Sequence, residues 1–256
     1  DHFDCFPGGL DELLETFGVE RSMLPEVISS AGDFGEARIN GEQVPIRGVL
    51  GDQQAALFGQ GCWEAGSSKI TYGTGCFLLL NTGQRRADSS AGLLTTLGAD
   101  AAGQPCYALE GSAFAGGSIV QWLRDGLGVL ENAADSSTVA RSVEDTGGVV
   151  LVPAFAGLGA PYWDPDARAA ILGMTRGTSS AHIVRAGLDA IAFQCADLIR
   201  ALRTDAGLPV ERLLVDGGAA ANDYLMQRQA DLAHATVERS VELQTTARGA
   251  AAIAAI

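Results

Sequence analysis

Positive charge, paired cysteines and long apolar runs are all scarce in this chain, and each scarcity closes off a class of function. Seventeen Lys and Arg face 31 Asp and Glu, a net charge of -14. That balance argues against nonspecific binding to nucleic acid or to an anionic membrane, and its simplest meaning is solubility. The cysteines, Cys5, Cys62, Cys76, Cys106 and Cys195, are odd in number and lack metal-type spacing, a usage that suits a reducing compartment. No apolar run reaches the roughly 18 to 20 residues of a membrane span, and nothing reads as a signal peptide. A cytoplasmic location is expected. No internal repeat or low-complexity segment is evident beyond the Ala-rich end. The chain starts at Asp1 with no initiator Met and stops in the apolar run Gly249 to Ile256, so a fragment is expected. Its 256 residues could hold one large or two small domains, with ample apolar content for a core.

The stretch around which the chain is organised begins at Asp52. The run Ile46-Arg47-Gly48-Val49-Leu50 predicts a strand that delivers this carboxylate at its end, a common place for chemistry. Downstream, Lys69 to Tyr72 and Cys76 to Leu80 read as a hairpin whose turn, Gly73-Thr74-Gly75, has no bulky side chain to keep a ligand from its amides. Such amides suit an anionic ligand. Cys76-Phe77-Leu78 follows directly, with no third glycine and no helix, so the turn is not a dinucleotide fingerprint.

Leu10 to Gly18 predicts a short amphipathic helix, and Glu36 to Pro45 a polar turn. The segments Gly92 to Thr96 and Cys106 to Leu109 are expected strands by their apolar and β-branched content. Ser118 to Asp125 reads as a helix burying Ile119, Trp122 and Leu123 while Gln121 points elsewhere; the glycines before it would let a nucleotide approach, but on the residues alone a structural start with a solvent-facing Gln is preferred. Ala133 to Gly148 is expected to hold a helix and a loop, followed by a buried strand, Val149 to Val152, and a further strand, Ala170 to Leu172. Ser180 to Ala206 predicts the longest helix, with Ser179 or Ser180 as N-cap, Gly207 as its stop, and Leu188, Ile191, Cys195, Leu198 and Leu202 as its core stripe. His182 is expected to serve as a first-turn polar residue there. The last unit is a strand, Arg212 to Val215, a glycine turn, Asp216-Gly217-Gly218, and a helix from Asn222 through Leu232, a geometry that brings backbone against a flat base or a phosphate.

Gly51-Asp52-Gln53-Gln54-Ala55-Ala56-Leu57-Phe58-Gly59-Gln60 and Thr71-Tyr72-Gly73-Thr74-Gly75-Cys76-Phe77 closely resemble the glycerol kinases of the FGGY carbohydrate kinase family. The resemblance recurs in the family's order at Pro153 to Asp166, at Leu172 to Gly177 and at Val215-Asp216-Gly217-Gly218. It implies an α/β actin-like, ribonuclease H-like ATPase fold with a mixed sheet flanked by helices. Residues 1-60 would be the tail of the N-terminal kinase domain, carrying the catalytic Asp, and 61-256 a truncated C-terminal domain. It also implies ATP-dependent phosphorylation of glycerol with Mg²⁺, no nucleic-acid or membrane partner, and a homo-oligomer at full length.

Within that resemblance Asp52 would accept the hydroxyl proton. With a reference pKa near ~3.9 an ordinary Asp is ionised at neutral pH, so it can orient the hydroxyl early and take the proton late. Asp52 and Gln53 would hydrogen-bond the polyol and Phe77 would cover its carbon edge. Thr74, Gly117, Gln121, Gly218 and Asn222 would contact the nucleotide. Departures are Gly159, where the family usually has an aromatic, and Gln244, where Glu is common. The Asn40-Gly41-Glu42-Gln43 loop offers no cation for an inhibitory sugar bisphosphate. A kinase for another polyol or a ketopentose, an ATP-binding pseudokinase and an inactive fragment are the alternatives, and the Gln53-Gln54 and Phe77 neighbourhood favours glycerol.

Overall fold

The computed structural model describes residues 9–242 and 244–256; Cys5 lies outside them. The helices are α1 (Gly9–Phe17), α2 (Asp52–Gly59), α3 (Gly117–Asp125), α4 (Ser136–Arg141), α5 (Ser180–Ala206), α6 (Asp223–Ala233) and α7 (Thr245–Ile253). The strands are β1 (Glu36–Ile39), β2 (Glu42–Pro45), β3 (Ser68–Tyr72), β4 (Cys76–Gly83), β5 (Leu94–Ala99), β6 (Pro105–Ala113), β7 (Val150–Val152), β8 (Ala170–Leu172), β9 (Arg212–Asp216) and β10 (Thr236–Arg239). Six of them form the central mixed sheet in the order β10-β9-β3-β4-β6-β5. Its β10, β9 and β3 run parallel, and β3, β4, β6 and β5 pair antiparallel.

Strand alternation sorts the side chains onto two faces. One face, with Ile70, Tyr72, Leu78, Leu80, Leu109, Leu213 and Val215, packs against Ile119 and Leu123 of α3, Leu188, Ile191 and Leu198 of α5 and Leu225 of α6 in the main core. On the other face Leu79 and Ala108 meet Leu57 of α2 and Cys62, while Phe58, Ala99 and Ile253 join α2 to β5 and α7. The result is a helix-sheet-helix sandwich of the expected α/β class.

α5 has the predicted bounds. Ser179 and His182 form a reciprocal cap in which the Ser179 amide donates to His182 Nδ1 at 3.1 Å, the first-turn role expected of that histidine. Gly207 ends the helix at φ 61°, a conformation glycine adopts without strain. Leu188, Ile191, Cys195, Leu198 and Leu202 are all fully buried. α2 and α7 cross at two glycines: a Cβ on Gly249 would collide with the Ala55 carbonyl, and one on Gly59 with that of Thr245.

Some expectations are corrected. Ile46 to Leu50 is not a strand before Asp52; it has one isolated bridge, Gly48 to Ala31, and leaves Ile46 and Val49 exposed, because its backbone bonds run irregularly to Ser30, Gly32, Phe34 and Gly35 rather than to the central sheet. Asp52 is therefore the first residue of a helix, not the last of a strand. Glu36 to Pro45 is a two-stranded hairpin that turns at Asn40 and Gly41, with φ 51° and 91°. There Arg38 Nε donates to the Gly41 carbonyl at 3.4 Å, so a cation does adjoin that loop. The strand expected to be buried at Val149 to Val152 pairs only with β8, and its Val150 is 55% exposed. On α3 the buried residues are Ile119, Val120 and Leu123, with Trp122 half-buried against the main core.

Candidate active site

The five residues assigned to a nucleotide come from distant parts of the chain and converge. Thr74, Gly117, Gln121, Gly218 and Asn222 all line one cavity of about 590 Å³, a volume typical of small-molecule sites. The β3–β4 turn forms one wall, α3 a second and the one-turn 3-10 helix Gly218–Ala221 a third, with Leu188 of α5 and Leu225 of α6 also lining it. Small residues keep it open: a Cβ on Gly218 would meet nothing within 4 Å. Gly217 next to it has φ 85°, and a Cβ there would sit 2.5 Å from the Tyr72 carbonyl, so only glycine lets β9 turn this close to β3.

The cavity lining includes Asp223 but no Lys or Arg, so it suits the uncharged nucleoside better than the phosphates. Asn222 has two jobs. Its Oδ1 accepts from the Leu225 amide at 2.9 Å to cap α6, and its Nδ2 donates to Ser136 Oγ at 2.9 Å.

The start of α3 departs from expectation. Its leading amides are already taken: Gly116 donates to the Thr74 carbonyl and Gly117 to that of Gly73, each at 2.8 Å, Ser118 to Thr74 at 3.2 Å and Ile119 to Gly116 at 3.0 Å. This helix terminus cannot cradle a phosphate with free amides. The bonds instead lock the glycine turn onto α3, where a Cβ on Gly117 would lie 2.8 Å from the Gly73 carbonyl.

Asp52, Gln53 and Phe77 belong to the opposite face of the sheet. Asp52 is exposed, and its Oδ2 accepts from Gln53 Nε2 at 3.0 Å. Gln53 Oε1 in turn accepts from Lys69 Nζ, which also donates to Thr71 Oγ1 at 2.9 Å. Phe77 is half-buried and faces Thr71 across the ladder. The Gly73-Thr74-Gly75 turn thus has the cavity on one side, and Thr71 before it connects through Lys69 and Gln53 to Asp52.

Sequence reasoning missed Lys69 and Glu110. Lys69 is fully buried, and burial lowers its pKa to about 8, against the opposing pull of Asp216, Glu110, Asp52 and Cys62. Glu110 has its pKa raised, chiefly by burial and further by Asp52, with Lys69 acting the other way. The signal for Lys69 was available: a lysine at an inward position of the strand Ser68-Lys69-Ile70-Thr71-Tyr72 must find polar partners. Asp216, at the end of β9, is also buried; its Oδ2 accepts from Gln60 Nε2 at 3.0 Å and from the Thr245 hydroxyl, while Oδ1 has no hydrogen-bond partner among the described residues.

Residues 68–256 match the model of the FGGY family of carbohydrate kinases, C-terminal domain. The chain belongs to this family. It is 53% identical over 246 residues to a glycerol kinase of Shewanella frigidimarina, covering 96% of this chain and 49% of that protein. With a glycerol kinase of Alkalilimnicola ehrlichii it shares 56% over 246 residues, covering 95% and 50%. Among solved structures, Plasmodium falciparum glycerol kinase with ADP matches at 39% identity and TM-score 0.85, over 94% of this chain and 49% of that one. The chain therefore spans about half the length of the relatives it matches, and its fold is that of the family's actin-like ATPases.

Two positions expected to depart from the family can be placed in the structure. Gly159 packs so close that a Cβ would collide with the Ser112 carbonyl and lie 3.3 Å from the Phe114 ring, so an aromatic has no room on this backbone. Gln244 precedes α7 and makes no side-chain capping bond there among the described residues.

Proposed function

We propose that the gene product carrying this chain is an ATP-dependent glycerol kinase, with this part supplying the nucleoside site and the proton acceptor. The observation that carries the reading is the shared turn. Gly73-Thr74-Gly75 borders the cavity lined by all five nucleotide residues and leads directly into the strands beside Asp52 and Gln53. Adenosine would occupy the cavity, with its base and ribose against Gly117, Gln121, Gly218 and Asn222. The phosphates would pass over the exposed Thr74 toward Asp52.

Asp52 would orient the primary hydroxyl of glycerol and take its proton as the γ-phosphoryl group leaves ATP, since such transfer demands chiefly positioning and a proton acceptor. Gln53 would share the polyol contacts and Phe77 would cover its carbon edge. Among the described residues no group of three or more His, Cys, Asp or Glu could hold a metal alone. Mg²⁺ would arrive on the phosphates, and once bound the ion neutralises phosphate charge. The reading extends to a cytoplasmic, self-associating protein; separately, none of the described helices is long and apolar enough to cross a membrane.

The test is ATP-dependent phosphorylation of glycerol by that gene product, with dihydroxyacetone and a pentulose as comparisons. Preference for glycerol supports the reading. Turnover of the pentulose alone would reassign the substrate, and nucleotide binding without turnover of any polyol would make it a pseudokinase.

A further inference from the structure

Lys69 is the only lysine in the sequence, and it is wholly enclosed. A buried ammonium is expensive, by several kcal/mol after relaxation, and a structural lysine normally recovers that cost in a close ion pair. Here no carboxylate forms an ion pair with it among the described residues. Asp216 on β9, Glu110 on β6 and Asp52 on α2 act on it from farther off. Its direct partners are two neutral oxygens, Gln53 Oε1 and Thr71 Oγ1.

We propose that Lys69 is a positioning residue for the phosphoryl acceptor site, acting on Asp52 through the carboxamide of Gln53. An ammonium can only donate, so the carboxamide must turn its oxygen inward to Lys69 and its NH₂ outward. Nε2 then donates to Asp52 Oδ2 at 3.0 Å. One carboxylate oxygen of Asp52 is thereby fixed, and the other is left for the hydroxyl whose proton it takes. Without Lys69 the carboxamide is free to rotate, and Asp52 loses the partner that sets its rotamer. Thr71 Oγ1 anchors the ammonium from β3, the strand that runs into the glycine turn, so the acceptor carboxylate and the turn share one support. This inference rests on Asp52 being the proton acceptor.

The experiment is a double-mutant cycle in the intact gene product: Lys69→Met, Gln53→Ala and the pair, each assayed for kcat/KM with glycerol and ATP and for ADP affinity. A residue that acts through another shows non-additive losses. Lys69→Met should lower kcat/KM roughly 10- to 100-fold, the size of effect seen when a supporting hydrogen bond to a functional side chain is removed. It should leave ADP affinity unchanged and add no further loss on top of Gln53→Ala. Should Lys69→Met not fold, Thr71→Val, which removes the other partner of the ammonium, takes its place with the same expected non-additivity. Additive losses, unchanged kcat/KM, or a parallel fall in ADP affinity would overturn the proposal. Asp52→Asn with full activity would instead overturn the reading on which it rests, so the two failures are distinct.

Discussion

The enclosure of Lys69 has a consequence for stability that can be measured without any substrate. Its pKa falls from 10.5 to about 8, first because burial penalises the ammonium. In the window between these values the unfolded chain holds the proton and the folded chain has released it. Stability therefore rises with pH through that window, and the charged lysine costs stability below it. The full shift of about 2.5 units corresponds to about 3 kcal/mol, and the part released between about pH 7 and about pH 9.5 is about 2 kcal/mol. Thiols and phenols with raised pKa, such as Cys62 and Tyr224, each pushed up to about 12, work in the opposite direction, so a single pH curve is not diagnostic. The difference between wild type and Lys69→Met isolates the lysine. In urea unfolding followed by tryptophan fluorescence, wild type should gain about 2 kcal/mol on Lys69→Met between those two pH values. Parallel stability curves for the two proteins would refute the reasoning.

Gly249→Ala should force α2 and α7 apart, because the new methyl meets the backbone carbonyl of Ala55 and no side chain there can yield. A loss of at least about 1–3 kcal/mol is expected, read as a lowered Tm, and an unchanged Tm would contradict the crossing described. Gly217→Ala should be at least as damaging, since it combines φ 85° with a 2.5 Å approach to the Tyr72 carbonyl; native-like stability in this variant would be inconsistent with the β9 turn. Asn222→Ala removes both the α6 cap, worth about 1 kcal/mol, and the proposed nucleotide contact. Asn222→Asp keeps an acceptor for the Leu225 amide, so it should retain stability while weakening ADP binding, as calorimetry would show. Equal ADP affinity in wild type and Asn222→Asp would restrict Asn222 to its capping role.

Local signals in the sequence were sufficient where an element is governed by its own residues. α5 carries its start in Ser179, its end in Gly207 and its buried stripe in a three-four spacing, and all three are found in place. The glycine turns after β3 and β9 were legible for the same reason, and the five residues placed beside them by family resemblance meet around one cavity. What could not be read depends on partners far along the chain. Ile46 to Leu50 has strand composition, yet its backbone bonds go to the irregular stretch Ser30 to Gly35 and not to the central sheet. Gly249 looks like part of an Ala-rich helix until Ala55 is seen against it. The amides at the start of α3 look free until the hairpin turn, some 40 residues earlier in sequence, is found to occupy them. Lys69 gains its meaning only from Gln53, 16 residues before it, and from Glu110 on a strand not adjacent to its own.

The central claim is that Asp52 takes the hydroxyl proton beside a nucleotide held in the cavity. It is tested most directly by comparing wild type and Asp52→Asn for ATP-dependent glycerol phosphorylation and for ADP affinity in the same preparations. The account predicts a fall in kcat of roughly 10²- to 10⁴-fold, the usual worth of a positioned proton acceptor, with ADP bound as tightly as before. Turnover that survives the substitution would contradict it.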